Sequence, residues 1–87
     1  MPPAETNSDI VAIQALGWTL EEPSRASRLL ALTGLTPDTL RESLGEPSVL
    51  AAVLAFLEAH EPDLLACAGA IGVQPAELVE ARRRLEA

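Results

Sequence analysis

Val49-Leu50-Ala51-Ala52-Val53-Leu54-Ala55-Phe56-Leu57 is a run of nine residues without a polar side chain. It is too short to cross a bilayer, which takes about 20 apolar residues. Wound as a helix at about 100° per residue, it gathers Val49, Leu50, Val53, Leu54, Phe56 and Leu57 into an arc of about 160°. Ala51, Ala52 and Ala55 occupy the opposite side. The arc of large side chains is a core face. The alanine face can meet solvent cheaply or let another backbone approach closely. The run therefore reads as the central helix of a small helical domain, beginning at Glu46-Pro47-Ser48 and continuing to about His60.

Outward from that helix, the chain is punctuated by proline. Pro23, Pro37, Pro47, Pro62 and Pro75 each follow a polar residue and precede a helical pattern. At the first helical position the missing proline N–H costs nothing, because that N–H has no partner within the helix in any case. The first helix is capped by Asn7 or Ser8, with Asp9 at the positive end of its dipole. It carries Ile10, Val11, Ile13, Leu16, Trp18 and Leu20 to about Leu20. Gly17 within it costs about 1 kcal/mol relative to alanine, which predicts close approach of another helix there; a functional hinge is the alternative.

The second helix opens at Glu21-Glu22-Pro23, with a polar face of Ser24, Arg25, Ser27 and Arg28 and an apolar face of Ala26, Leu29, Leu30 and Leu32. Gly34 ends it as a left-handed C-cap. Thr36 caps a short third helix that ends near Leu44-Gly45. Glu61-Pro62-Asp63 opens a fifth, carrying Leu64, Leu65, Cys67 and Ala68 to about Ala70–Gly72. Gln74-Pro75 opens a sixth that runs to about Glu86, with Arg82, Arg83 and Arg84 at the negative end of its dipole. The expectation is an all-α fold: a flexible tail over residues 1–7, then a single domain of five or six short helices over residues 8–87.

A weak internal repeat is also present. Glu22-Pro23…Gly34-Leu35-Thr36-Pro37…Leu40 resembles Glu61-Pro62…Gly72-Val73-Gln74-Pro75…Leu78 once one residue is deleted between proline and glycine. Upstream, Val11-Ala12-x-x-Ala15-x-x-Trp18 parallels Leu50-Ala51-x-x-Leu54-x-x-Leu57. Two three-helix units packed by their first helices would produce this pattern. Helix pairs that draw caps and breakers from the same small alphabet would produce it too.

Composition narrows the class. At 87 residues the chain is near the size where one core is just sufficient. A hydrophobic content of 48% is well above what a disordered chain tolerates. Aromatics are only 2%, Trp18 and Phe56 alone, so the core is built from Leu, Val, Ile and Ala. No stretch shows the alternation of a half-buried strand. Six arginines against thirteen acids leave a net charge of −7. That field repels phosphate backbones and disfavours nucleic acid as a partner. Cys67 is the only cysteine, so no disulfide forms within the chain, which fits a reducing cytoplasm. The N-terminus shows no signal-peptide pattern, and no membrane segment is expected.

Residues that could carry chemistry are few. His60, at the C-terminal end of the central helix, reads as a surface or half-buried helix-end histidine whose charged form suits the dipole. Cys67 among Leu64, Leu65, Ala68 and Ile71 reads as an inert core thiol; as a nucleophile it would need a base, and only His60 could serve. His60, Cys67, Glu58, Glu61 and Asp63 show no recognised zinc spacing. No nucleophile elbow and no phosphate-cradling glycine run is present. No metal, cofactor or catalytic residue is therefore assigned, and a small hydrolase or metal enzyme using His60 or Cys67 is the weakest reading.

The better-formed motif is a helix-turn-helix. Ala68-x-x-x-Gly72-x-x-x-x-x-Leu78 has its small–glycine–apolar spacing, and Arg82, Arg83 and Arg84 follow. A DNA reader offers Arg, Lys, Asn or Gln near the start of its second helix. Here those places hold Ala76, Glu77 and Glu80, so the motif reads as packing geometry. A partner surface is the remaining class. Trp18 is either core or an exposed interface anchor, and Ala51, Ala52 and Ala55 form the second contact candidate.

The run Leu29-Leu30-Ala31-Leu32-Thr33-Gly34-Leu35-x-Pro37-x-x-Leu40-Arg41 resembles a family of small, all-helical alphaproteobacterial proteins with no assigned function. The central Leu50-Ala51-Ala52-Val53-Leu54-x-Phe56-Leu57 and the closing Gly72-x-x-Pro75…Ala81-Arg82 resemble its pattern too, so the likeness spans about Asp9 to Leu85. Leu-Ala-Leu-Thr-Gly-Leu is its most specific element. The family often has an aromatic where this chain has Leu29, a core site filled differently here. The resemblance implies a cytoplasmic bacterial protein and a compact helical fold, and it carries over no catalytic residue. The leading expectation is a non-enzymatic interaction or regulatory module that binds another protein or a second copy of itself as a homodimer. The alternative is a nucleic-acid-binding helix-turn-helix using Arg82–Arg84.

Overall fold

Proline and glycine set the helix boundaries. The computed structural model describes residues 8–87, and the tail predicted for residues 1–7, with the alternative cap Asn7, lies outside the described residues. Six helices follow in order: α1 Ser8–Leu20, α2 Pro23–Thr33, α3 Pro37–Glu42, α4 Pro47–Glu58, α5 Glu61–Ile71 and α6 Pro75–Glu86. The caps are local chemistry. The Glu22 carboxylate accepts the Arg25 N–H at 2.9 Å, and the Thr36 hydroxyl accepts the Thr39 N–H at 3.1 Å. The Gln74 N–H donates to the Glu77 carboxylate at 2.8 Å. Each would otherwise be an unpaired helix-end donor.

Two helices end on glycines in the left-handed region, Gly34 at φ 74° and Gly72 at φ 80°. Their N–H groups donate to Leu30 O at 2.8 Å and Ala68 O at 2.9 Å. Residues with a Cβ resist that conformation, which is why glycine stands there. Two ends differ from expectation by about one turn or less: α3 stops at Glu42 and α4 at Glu58. Beyond Glu42 the Ser43 N–H is shared between Thr39 O and Leu40 O, a tightening common at helix ends.

The core is a triangle. α4 packs most extensively against α6 and then α1, while α1 and α6 close the third side. α5 and α2 flank it, and α3 makes none of the extensive helix–helix contacts. Leu29, Leu50, Val53, Leu54, Leu57, Cys67 and Leu78 are fully buried, each large apolar side chain contributing about 1.5–3 kcal/mol relative to exposure. The Cα radius of gyration is 12.0 Å, the value expected for a compact chain of this length, about 12 Å. Among the described residues no single helix is long and apolar enough to cross a membrane.

The pseudo-repeat survives in its caps and in the packing of α1 on α4, the first helix of each half. It breaks at the third helix: α3 has six residues and α6 has twelve. α6 fills the core position that α3 is too short to match.

Three side-chain expectations are corrected. Gly17 is exposed, and among the described residues a Cβ built on it meets no heavy atom within 4 Å, so no close helix contact is made there. Leu32, assigned to the apolar face of α2, is 72% exposed, because α2 packs mainly on α1 and α4 and Leu29 takes the fully buried position. On α1 the buried face is Val11, Ala12, Ala15, Leu16 and Thr19, leaving Ile10, Ile13 and Leu20 well exposed. The buried Thr19 hydroxyl donates to Ala15 O at 2.9 Å, so this polar group is satisfied within its own helix.

Candidate partner-binding groove

The alanine side of α4 is only partly open. Ala51 is 4% exposed, since neighbouring helices wrap α4 beyond the arc of its large residues. Ala52 is half-buried and Ala55 exposed. At about 100° per residue, Ser48, Ala52, Ala55 and Ala59 share one strip about 60° wide. That strip forms one wall of an apolar groove of about 410 Å³, with Leu32, Thr33 and Leu35 opposite and Val49 and Phe56 at its floor. Sequence reading found Ala52 and Ala55 but missed Ser48, Ala59 and the whole α2 wall. The i, i+4, i+7, i+11 spacing of the α4 strip was visible; the arrival of Leu32 beside it was not.

Trp18 is neither core nor free anchor. It is half-buried, packed against the core cluster, with the Arg25 guanidinium 3.7 Å from its ring centroid. Arg25 Nη2 also donates to Trp18 O at 2.7 Å, while its Nε is buried without a hydrogen-bond partner. The cation lies over one face of the ring in cation–π geometry.

The other polar groups form structural pairs. Asp63 Oδ2 lies 2.9 Å from Arg28 Nη2 and 2.9 Å from His60 Nδ1, joining α2 to the start of α5. Burial raises the Asp63 carboxyl, and the bonds from Arg28 and His60 outweigh it and hold the group below its ordinary value. His60 occupies the N-cap position of α5 with its side chain half exposed. Cys67 is fully buried, and burial pushes its thiol up to about 11. A thiol so protonated is a poor nucleophile. Among the described residues, no three His, Cys, Asp or Glu side chains converge on a site that could hold a metal ion.

α5 and α6 meet at 100°, within the range of helix-turn-helix pairs. The motif positions serve packing: Ala68 and Leu78 are buried and Gly72 makes the turn. The arginines are paired with acids. Arg82 bridges to Glu58 of α4 and to Glu86 at 2.7 Å; Glu80 pairs with Arg84 at 3.3 Å and with Arg83 at 3.9 Å. Each of the three arginines thus has a glutamate beside it.

Fold and groove together define a small all-helical domain that carries an open apolar groove between two of its helices. By sequence, the chain belongs to the family described as Protein of unknown function (DUF3572), which matches residues 5–87. No curated protein and no solved structure matches it significantly.

Proposed function

We propose that the chain is a non-enzymatic interaction module that takes an apolar helix of a partner protein into the groove between α2 and α4. The observation that carries this reading is Leu32: a large aliphatic side chain, 72% exposed, beside an open strip of alanines. Small residues on one wall let a second backbone come close, and a flanking leucine supplies contact area, the arrangement used when an amphipathic helix docks in a groove. Trp18 is a secondary contact at most, because Arg25 covers it. Ala51 supports the groove from within.

The test is affinity capture of the tagged chain from its native cell extract, with and without nuclease, beside the Ala52→Glu/Ala55→Glu double variant. A partner held by the parent chain, indifferent to nuclease and lost from a folded variant, supports the groove. Equal capture by both overturns it. Recovery that needs intact nucleic acid would instead favour Arg82–Arg84, and its affinity would fall steeply with salt. Light scattering on both forms distinguishes a second copy of the chain as the occupant.

A further inference from the structure

A second apolar pocket, of about 340 Å³, lies between α1, α2 and α3 and shares no lining residue with the α2–α4 groove. Leu16 and Leu40, each 4% exposed, form its floor. Leu20, Leu30 and Leu44 rise around them, and Arg41 is its one charged lining residue. Leu20 is 43% exposed, so part of this apolar wall faces open space. Arg41 bonds Asp38 at 3.1 Å, but the two side chains are 74% and 84% exposed. An exposed pair of that kind binds its partners weakly, so the guanidinium can exchange Asp38 for another anion.

We propose that this pocket binds a free, medium-chain fatty carboxylate, its alkyl chain among the leucines and its head group on Arg41. The volume is at the lower end of ligand pockets, which run about 300–1,000 Å³, and suits a single chain. No aromatic ring lines it to stack a base or a planar cofactor. The lone cation sets the sign of the head group, and a guanidinium matches a carboxylate in geometry as well as charge. A bilayer is the other source of such chains. A bilayer lipid carries two such chains on one head group, whereas this pocket presents one charged residue and a volume suited to a single chain.

The experiment is a methyl-detected NMR titration of the leucine-labelled full chain at low salt, using monomeric hexanoate, octanoate and decanoate, with decanol and decylammonium as head-group controls. Saturable shifts at Leu16, Leu20, Leu30, Leu40 and Leu44 are expected, with affinity rising about fourfold per added methylene until the pocket is full. Arg41→Gln, at an exposed position, should lower decanoate affinity about three- to fivefold and leave decanol unchanged. Shifts confined to Leu32 and Leu35 would overturn the proposal by moving the ligand to the other groove. Equal binding of decanol or decylammonium would remove the role of Arg41. Absence of saturable shifts would sink the proposal outright. Binding to anionic vesicles without binding to monomeric decanoate would replace it with a membrane site.

Discussion

Gly17→Ala should stabilise this protein. The residue lies inside α1, three positions before its last residue, and is solvent-exposed. A Cβ placed there meets nothing within 4 Å, so the methyl group adds no clash. What changes is the unfolded chain, which loses the extra freedom of glycine; in a helix interior the substitution is worth about 0.5–1 kcal/mol. Unfolding entropy of about 2.1 cal/mol/K per residue gives about 0.18 kcal/mol/K for 87 residues. The gain therefore corresponds to a rise in Tm of about 3–6 °C. Thermal unfolding followed by far-UV circular dichroism measures it, and urea titration with an unchanged m-value checks that the unfolded reference has not moved. Gly34→Val is the matched control of opposite sign. At φ 74° a β-branched residue is strained, and a loss of more than about 1 kcal/mol, hence more than about 5 °C, is expected. A Tm for Gly17→Ala at or below that of the parent would refute the reasoning: either α1 is not helical through Gly17 or the space beside it is filled.

Leu54 is fully buried in α4; Leu54→Ala should cost about 2–5 kcal/mol and lower Tm by at least about 10 °C, and a smaller fall would mean that the α1–α4–α6 centre collapses around the gap. The Asp63 carboxyl sits below its ordinary value of 3.8, burial being outweighed by the bonds from Arg28 and His60. A folded value below the unfolded one means that its contribution to stability is present above about pH 4 and lost as pH falls through the folded value. Asp63→Asn should therefore lower stability near neutrality and flatten its decline at acid pH; an unchanged acid limb in denaturant titrations would contradict the Arg28–Asp63–His60 arrangement. The Cys67 thiol, held near 11 by burial, should resist a thiol reagent at mildly alkaline pH until the chain opens, and react fully in urea. Rapid modification of the folded protein would show that α5 is not seated as described.

Helix starts and stops were legible because their causes lie within a few residues. A carboxylate or hydroxyl before a proline, and a glycine that can take positive φ, work the same way whatever the helix packs against. Gly34 and Gly72, the Thr36 cap and all five proline-led helices were read on that basis. The buried arc of α4 was legible for a related reason: six large apolar side chains on one side can only be a core face. Neighbours obeyed a different logic. Leu29 and Leu32 look equivalent in sequence, yet one is sealed in the core and the other stands 72% exposed on the rim of a groove. Ala51, Ala52 and Ala55 read as one face, yet packing split them into buried, half-buried and exposed. Gly17 carried a true signal, an unusual glycine inside a helix, without any sign that its surroundings are empty.

The candidate groove lay between these two kinds of legibility. Its α4 wall follows a helical period; its α2 wall arrives from a different segment, at an angle set by the crossing of two helices. The Glu58–Arg82 bridge and the Arg25–Trp18 stack have the same origin, joining residues whose pairing no spacing rule predicts. Sequence alone thus determined the class, the proline-led helix starts and the glycine and threonine caps, since these follow from backbone conformation and period over one turn. Only the tertiary structure decided which apolar side chains are covered, which arginines are paired and where open apolar surface remains, because burial and pairing depend on how distant segments meet in space.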